Sequence, residues 1–265
     1  MTPIRAQMSN VIRSRDNPRV KRWAKLASDS RFRRSEARAL IEGPHLLAEA
    51  LQAGLKPVTL IVSETGMKRA EIRRLIEREK GEPVVLGDHL FGIVADAETP
   101  PGIAAEIEIR TVAVDEAKPA LFLEGVQDPG NVGAILRSAA AFGVGEVVLD
   151  RACADPWSSK VLRAGMGAHF RLGLRQVADL KTEIARFPGT AVCAVSDGGM
   201  ALKSVQLQGR VGWIFGAEGK GVSGELARAA AMKVTIPMAP GTESINVAAA
   251  AAICLYEDYA RNNNQ

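Results

Sequence analysis

The sequence predicts an α/β protein in two parts. Three observations carry this: short apolar runs alternate with helix-period segments, basic charge is concentrated at one end, and a stretch of β-branched and polar residues separates two alternating regions. A chain of 265 residues can bury one large core or two smaller ones, and the break near 112–118 favours two. The expected division is 1–112 and 113–265.

In the first part, Asn17-Pro18 signals a turn before a basic helix, Arg19 to Ala27, in which Val20, Trp23 and Leu26 recur at helical spacing. Trp23 has two readings, a base-stacking platform and a core residue of that stripe, and the stripe favours the core. Arg38 to Ile41 leads to Gly43-Pro44, and His45 to Leu55 reads as a helix with Leu46, Leu47, Ala50 and Leu51 on its apolar side. Val58 to Val62 reads as a strand, Met67 to Glu79 as a charged amphipathic helix, Val84 to Leu86 as a strand and His89 to Ala95 as a helix or turn. Glu98 to Pro101 brings a break, and 102–119 holds a final strand and a linker.

The second part alternates more regularly. Strands are expected at Ala120 to Leu123, Glu146 to Leu149, Thr190 to Ser196, Val211 to Phe215 and Lys233 to Ile236. Helices are expected at Asn131 to Phe142, Lys160 to Ala168, Val177 to Phe187, Gly224 to Ala231 and Ile245 to Tyr259. Short apolar strands between helices imply a mostly parallel sheet covered on both faces. The alanines of 247–253 form helix with little bulk, which suits a helix wedged against protein or a second subunit.

The apolar fraction of 47% and charged fraction of 24% are those of a soluble globular protein. No apolar run reaches membrane-spanning length, and the basic N-terminus leads into polar sequence, so a cytoplasmic protein is expected. Cys153, Cys193 and Cys254 are widely spaced and read as small buried hydrophobes. His45, His89 and His169 have no ligand-like spacing, so no metal is expected. Residues 1–80 carry 18 Lys or Arg against 9 Asp or Glu, whereas the remainder is net acidic. A polyphosphate partner gains from such a concentration through counterion release, although a solvated basic surface explains the same charge.

Three clusters can carry chemistry. Residues 124–137, from Glu124 through Asp128-Pro129-Gly130-Asn131 to Arg137, follow a strand and enter a helix; Asn131 reads as its cap. Arg137 is the one long cation of that helix, able to reach toward the carboxyl end of the sheet or to serve as a surface charge. Residues 214–224 form a glycine-rich loop with one carboxylate, Glu218; its match to a dinucleotide fingerprint is incomplete, because the acid for a nicotinamide ribose is missing. Residues 236–246 form an irregular loop with two prolines, and Ser244 reads as a cap for the alanine-rich helix. Together they suggest a concave ligand site without a Ser-His-acid or Cys-His nucleophile.

In this order the clusters resemble the signature motifs of the SpoU/TrmH-type RNA 2′-O-ribose methyltransferases of the SPOUT superfamily. The likeness runs from Asn131-Val132-Gly133 to Arg137, from Phe215-Gly216 and Glu218-Gly219 to Gly221, and through Ser244-Ile245-Asn246-Val247, and it covers Ala120 to Tyr259. The segment 154–168 is similar to the family's stretch after its second strand, while Asn17-Pro18, 19–26 and Glu42-Gly43 resemble its small RNA-binding domain, which is similar in fold to L30-type ribosomal proteins. The resemblance implies a trefoil-knotted C-terminal domain and a homodimer. It implies S-adenosyl-L-methionine held by Ser196, Gly216, Glu218, Gly219, Gly221, Ile236, Met238, Ser244, Ile245 and Asn246. Arg137 would act at the target ribose, with Asn131, Glu218, Ser244 and Asn246 organising the site.

RNA contacts are expected from Arg15, Arg19, Lys21, Arg22, Lys25, Arg31, Arg33, Arg34 and Arg163. Large-subunit ribosomal RNA is the preferred substrate and transfer RNA the second. Ala217 departs from the asparagine that many relatives carry before the glutamate, which leaves open a non-catalytic RNA-binding or ribosome-assembly protein.

Overall fold

The computed structural model describes residues 11–95, 99–110 and 112–263. Arg5 of the basic segment and the start of the break at Glu98 lie outside the described residues. The chain divides into two compact units, one of residues 1–110 with 157–170 and the other of 111–156 with 171–265. The stretch 157–170 therefore clusters with the first unit.

The first unit contains α1 (Pro18–Ser28), α2 (Ser30–Glu36), β1 (Arg38–Glu42), α3 (Pro44–Gln52), β2 (Thr59–Ser63), α4 (Ala70–Glu79), β3 (Val84–Leu86), α5 (Asp88–Val94) and β4 (Ile103–Glu108). The sheet order is β1-β4-β2-β3, with β4 antiparallel to both neighbours and β2 parallel to β3. The two-residue period of a strand sends alternate side chains to opposite faces. Ala39, Ile41, Val62, Ile103 and Ala105 meet Leu46, Leu47, Ile72 and Ile76. Leu40, Ile61 and Ala104 meet Val20, Trp23, Leu26, Leu90 and Phe91 on the other side. Trp23 is thus a core residue, 2% exposed.

Glu106 has the parity of Ala104 and is buried there. Its carboxylate accepts from Trp23 Nε1 at 2.9 Å and from Arg22 Nη2 at 2.8 Å. A buried carboxylate is retained only with such partners.

The helix α2 was not legible from apolar period, since Phe32 is its one large apolar residue. Its start is set by Asp29, which accepts from the backbone N–H groups of Arg31 and Phe32. This corrects one expected RNA contact: Arg33 is 3% exposed and donates to the carbonyls of Leu26 and Ala27 at the end of α1.

The second part of the chain continues with β5 (Ala120–Leu123), α6 (Pro129–Ala141), β6 (Glu146–Asp150) and α7 (Ser159–Gly165), the helix that clusters with the first unit. Then come β7 (Gly173–Val177), α8 (Leu180–Arg186), β8 (Thr190–Val195), β9 (Met200–Ala201), β10 (Val211–Phe215), α9 (Gly224–Ala229), β11 (Met232–Thr235) and α10 (Val247–Asn263). The seven-stranded sheet runs β7-β6-β5-β10-β8-β11-β9, with every pairing parallel. The expected helix from Val177 is corrected: 173–177 is strand, and Asp179 caps a shorter helix by accepting from Thr182 N. Only Gly173 of that edge strand is buried, so the apolar run that marks inner strands is missing.

The helix α10 packs on α6. Ala251, Cys254 and Leu255 are buried, and the indole N–H of Trp213 donates to the buried Asp258 carboxylate at 3.3 Å. Arg261 ties the last turn to the carbonyls of Leu202 and Val205. All three cysteines are free and buried; burial pushes the Cys193 thiol up to about 11 and the Cys254 thiol up to about 12.

Burial also raises the Asp258 carboxyl above its ordinary 3.8, against smaller opposing contributions from Trp213, Asn262 and Arg261. A carboxyl raised in the folded state favours folding below its unfolded value and loses that contribution as pH rises through the folded value. Wild type should therefore gain stability relative to Asp258→Asn as pH falls from about 7 toward about 4. Urea midpoints across that range check this, and a difference that is flat or of opposite slope would contradict it.

Candidate active site

The three clusters lie at the carboxyl ends of β5, β10 and β11, the edge where parallel sheets present their loops. Asp128, not Asn131, caps α6: its Oδ1 accepts from Asn131 N at 2.8 Å, with Pro129 in the first turn. That frees the Asn131 side chain. Its Nδ2 donates to Glu218 Oε1 at 2.7 Å, and its Oδ1 accepts from Asn246 Nδ2 at 2.9 Å. Asn246 Oδ1 in turn accepts from Ala248 N and Ala249 N, so Asn246, not Ser244, caps α10.

One chain of hydrogen bonds thus joins the three loops, and its direction is fixed at both ends. Glu218, when ionised, can only accept, and the helix amides can only donate, so each asparagine has one allowed orientation.

The loop after β10 closes on itself. Gly221 N donates to Ala217 O at 2.8 Å, and a Cβ built on Gly216 would lie 2.1 Å from the Gly221 carbonyl carbon, so only glycine permits the approach. Ala217 lies 3.5 Å from the place a Gly125 Cβ would occupy. Glu218 draws its partner from Asn131, with no side-chain hydrogen bond from position 217.

Two residues that the sequence reasoning did not assign hold this arrangement. Glu124 Oε2 accepts from Ser223 N at 2.7 Å, fixing the end of the glycine loop where Ser223 caps α9. Asp150 accepts from the backbone N–H groups of Gly125, Ala152 and Cys153. Their signal was position alone: each stands at the carboxyl end of a strand, before a turn whose amides need acceptors.

The loops surround a cavity of about 510 Å³. Its lining includes Ser196, Gly216, Glu218, Gly219, Gly221, Ile236, Met238, Ser244, Ile245 and Asn246, so the structure brings all ten of those positions together. Val195, Val222 and Val247 add apolar wall, and Lys220 adds a cation. Asn131 reaches the wall through its bonds to Glu218 and Asn246.

Arg137 is not part of that chain. Six residues on from Asn131, it stands about 120° round the helix. It is exposed on a stripe with Gly130, Ala134 and Ala141, with no hydrogen bond or ion pair among the described residues.

Among the expected RNA contacts, Arg15, Arg31 and Arg34 are exposed and without an ion pair among the described residues, and Arg19 lies over the Trp23 ring. The others are engaged: Lys21 with Asp16, Arg22 with Glu36 and Glu106, Lys25 with the Phe32 ring and Arg163 with buried Glu42. Among the described residues no group of three or more His, Cys, Asp or Glu side chains is arranged to hold a metal ion, and no helix is long and apolar enough to cross a membrane.

Glu124→Ala should release the Ser223 amide. Hydrogen exchange at 217–223 is expected to speed about tenfold, matching the loss of one charge-assisted hydrogen bond, with amides of 120–123 unchanged. Unaltered exchange in the loop would show that Glu124 does not hold it.

Comparison with known proteins places this geometry. Residues 118–256 match the model of the SpoU rRNA methylase family, and residues 17–105 match that of the MRM3-like substrate binding domain. The chain is 33% identical over 253 residues to the 23S rRNA (guanosine(2553)-2′-O)-methyltransferase RlmP of Bacillus subtilis, covering 92% of this chain and 97% of that protein. It superposes on the AdoMet-bound rRNA methyltransferase of Sinorhizobium meliloti with a TM-score of 0.80 and 25% identity, over 96% of this chain and 99% of that one. The SpoU methyltransferase AviRb of Streptomyces viridochromogenes shares the fold, with a TM-score of 0.83 at 23% identity over 93% and 98% of the two chains. With the signature loops joined around one cavity and a family match over more than half its length, the chain belongs to the SpoU rRNA methylase family.

Proposed function

We propose that this protein transfers a methyl group from S-adenosyl-L-methionine to the 2′-hydroxyl of a ribose in structured RNA, with large-subunit ribosomal RNA as substrate. The observation that carries the reading is the hydrogen-bonded chain from Glu218 through Asn131 to Asn246, which gathers three loops about one cavity. RlmP and the Sinorhizobium enzyme, which act on ribosomal RNA by name, support the substrate.

The cavity residues fit the methyl donor. The glycines expose backbone amides and carbonyls for its polar edges, Ile236, Met238 and Ile245 give the apolar wall a purine needs, and Glu218 offers a carboxylate to a cationic ligand. When bound, the donor supplies an electrophilic methyl on a sulfonium. Ser196, Gly216, Gly219, Gly221 and Ser244 complete the set proposed to hold it.

The protein's own task is positioning, because methyl transfer needs the attacking oxygen in line with the departing sulfur. Asn131, Glu218, Ser244 and Asn246 fix the cavity wall. Arg137 presents a guanidinium, which only donates hydrogen bonds, so its role is to hold the RNA phosphate and the oxygen as negative charge develops on it. Its open position on α6 suits a target brought from outside.

The proposed active form is a homodimer with the RNA site shared between copies. Ile253, Tyr256 and Tyr259 of α10 are exposed at 41%, 57% and 43%, and Phe142 packs beside both tyrosines. We read the C-terminal chain as threaded into a trefoil knot, which the insertion of β10 between β5 and β8 and the tether at Arg261 support. The 1–112 region, L30-like in this reading, forms the RNA-binding part. Arg15, Arg19, Arg31 and Arg34 are its free cations, Lys21, Arg22, Lys25 and Arg163 its engaged ones, and the cytoplasm is the proposed location.

Arg137→Ala should lower methyl transfer by about 10²- to 10³-fold, as for loss of a donor to a developing oxyanion, while donor affinity stays within about threefold. Labelled-methyl incorporation into ribosomal RNA and calorimetric titration check both. Near-normal turnover on native RNA would contradict the assignment.

A further inference from the structure

The first unit holds a second cavity, of about 310 Å³, that the methyl-transfer site does not use. Arg19, Arg22, Arg38, Val58, Thr59 and Glu106 line it, with an edge of Trp23. It lies where β1 and β2 begin, at Arg38 and Thr59, the opposite end of β1 from Glu42 and its partner Arg163.

The buried Glu106 is part of that lining, and both carboxylate oxygens are already committed, one to Arg22 and one to Trp23. Glu106 therefore repels an incoming anion less than a free carboxylate would, and it holds the Arg22 guanidinium in place; Arg38 Nε stands 4.0 Å away. Arg22 and Arg38 also pair with Glu36 and Glu108, which do not line the cavity. Two guanidinium groups on the lining are thus pre-positioned by ion pairs that also offset their charge, and the uncompensated cation is Arg19. Arg19 has no carboxylate partner among the described residues, and its guanidinium lies over the Trp23 ring with its hydrogen-bond donors unspent.

Val58, 48% exposed, and Thr59 complete the lining. Guanidinium groups and an exposed apolar side chain on the lining of one cavity of about 310 Å³ offer partners to a phosphate joined to a flat base. A paired base cannot enter such a cavity, whereas one turned out of a loop or bulge can.

We infer that this cavity takes a single unpaired RNA nucleotide, its phosphate on Arg19 with Arg22 and Arg38 and its base against Val58, and so selects an RNA loop or bulge for the methyl-transfer site. The inference rests on the RNA reading above. Glu106 is a positioning residue here, acting through Arg22.

The test uses the full-length protein with a labelled single-stranded RNA and a blunt duplex of the same sequence, followed by fluorescence anisotropy at several salt concentrations. Arg19→Ala should weaken single-strand binding about tenfold and reduce the slope of log K against log salt by about one. Val58→Trp, which fills the apolar side, should weaken it comparably with an unchanged slope, and neither should alter duplex binding by more than about twofold. Thermal melts check that both variants are folded.

Wild-type single-strand affinity in both variants, with methylation of ribosomal RNA retained by the parent protein, overturns this inference alone. Equal losses on single strand and duplex overturn it as well, since they reduce the site to general charge. Complete displacement of the single strand by adenosine or guanosine monophosphate assigns the cavity to free nucleotides and also overturns it. A parent protein that neither binds nor methylates RNA removes the functional reading on which the inference rests.

Discussion

The Asn131 side chain is the joint on which the candidate site depends. It stands in the first turn of α6, with Glu218 on one side and Asn246 on the other, and those partners belong to loops 87 and 115 residues away in sequence. An amide suits the joint because it donates at one end and accepts at the other. An aspartate there would face Glu218 with a second acceptor, and a leucine would leave two polar partners unpaired near the cavity wall.

The order that radiates from this joint is largely backbone order. Gly216 allows the chain to fold back onto Gly221, Glu124 fixes the far end of the same loop at Ser223, and Asp150 fixes the turn after β5. Each carboxylate satisfies amides that a strand end leaves without partners. In the first unit Glu106 has a related role, since its buried charge fixes the indole of Trp23 and the guanidinium of Arg22 together. In both places a carboxylate sets the geometry, and small or cationic neighbours are left to meet a ligand.

Much of this was legible in the sequence, and the failures have physical causes. Inner strands β5 and β10 run apolar throughout and β6 has the apolar interior Val147 to Leu149, so buried on both faces they read clearly. The edge strand β7 has Arg175 and Gln176 at its centre and so gives no apolar run; the sequence reading includes only its last residue, Val177, as the start of a helix. Asn131 was read as a cap because asparagine caps well, but Asp128 three residues earlier does the same chemistry and has Pro129 after it. Arg33 looks like its basic neighbours in sequence; only the packing of α2 against the end of α1 shows that its charge is spent on carbonyls. Arg137 reads from the sequence either as reaching toward the carboxyl end of the sheet or as a surface charge, and it stands exposed on α6. Glu124 and Asp150 carry no motif of their own because their partners are backbone amides, which any sequence supplies.

The central claim is that Asn131, Glu218 and Asn246 act as one unit, and a double-mutant cycle on methyl transfer tests it most directly. Asn131→Ala and Glu218→Ala, singly and together, should show a coupling of about 1–3 kcal/mol, with the double variant scarcely worse than the poorer single one. Costs that simply add would mean the two residues work independently, and the site would have to be held together by something other than this chain.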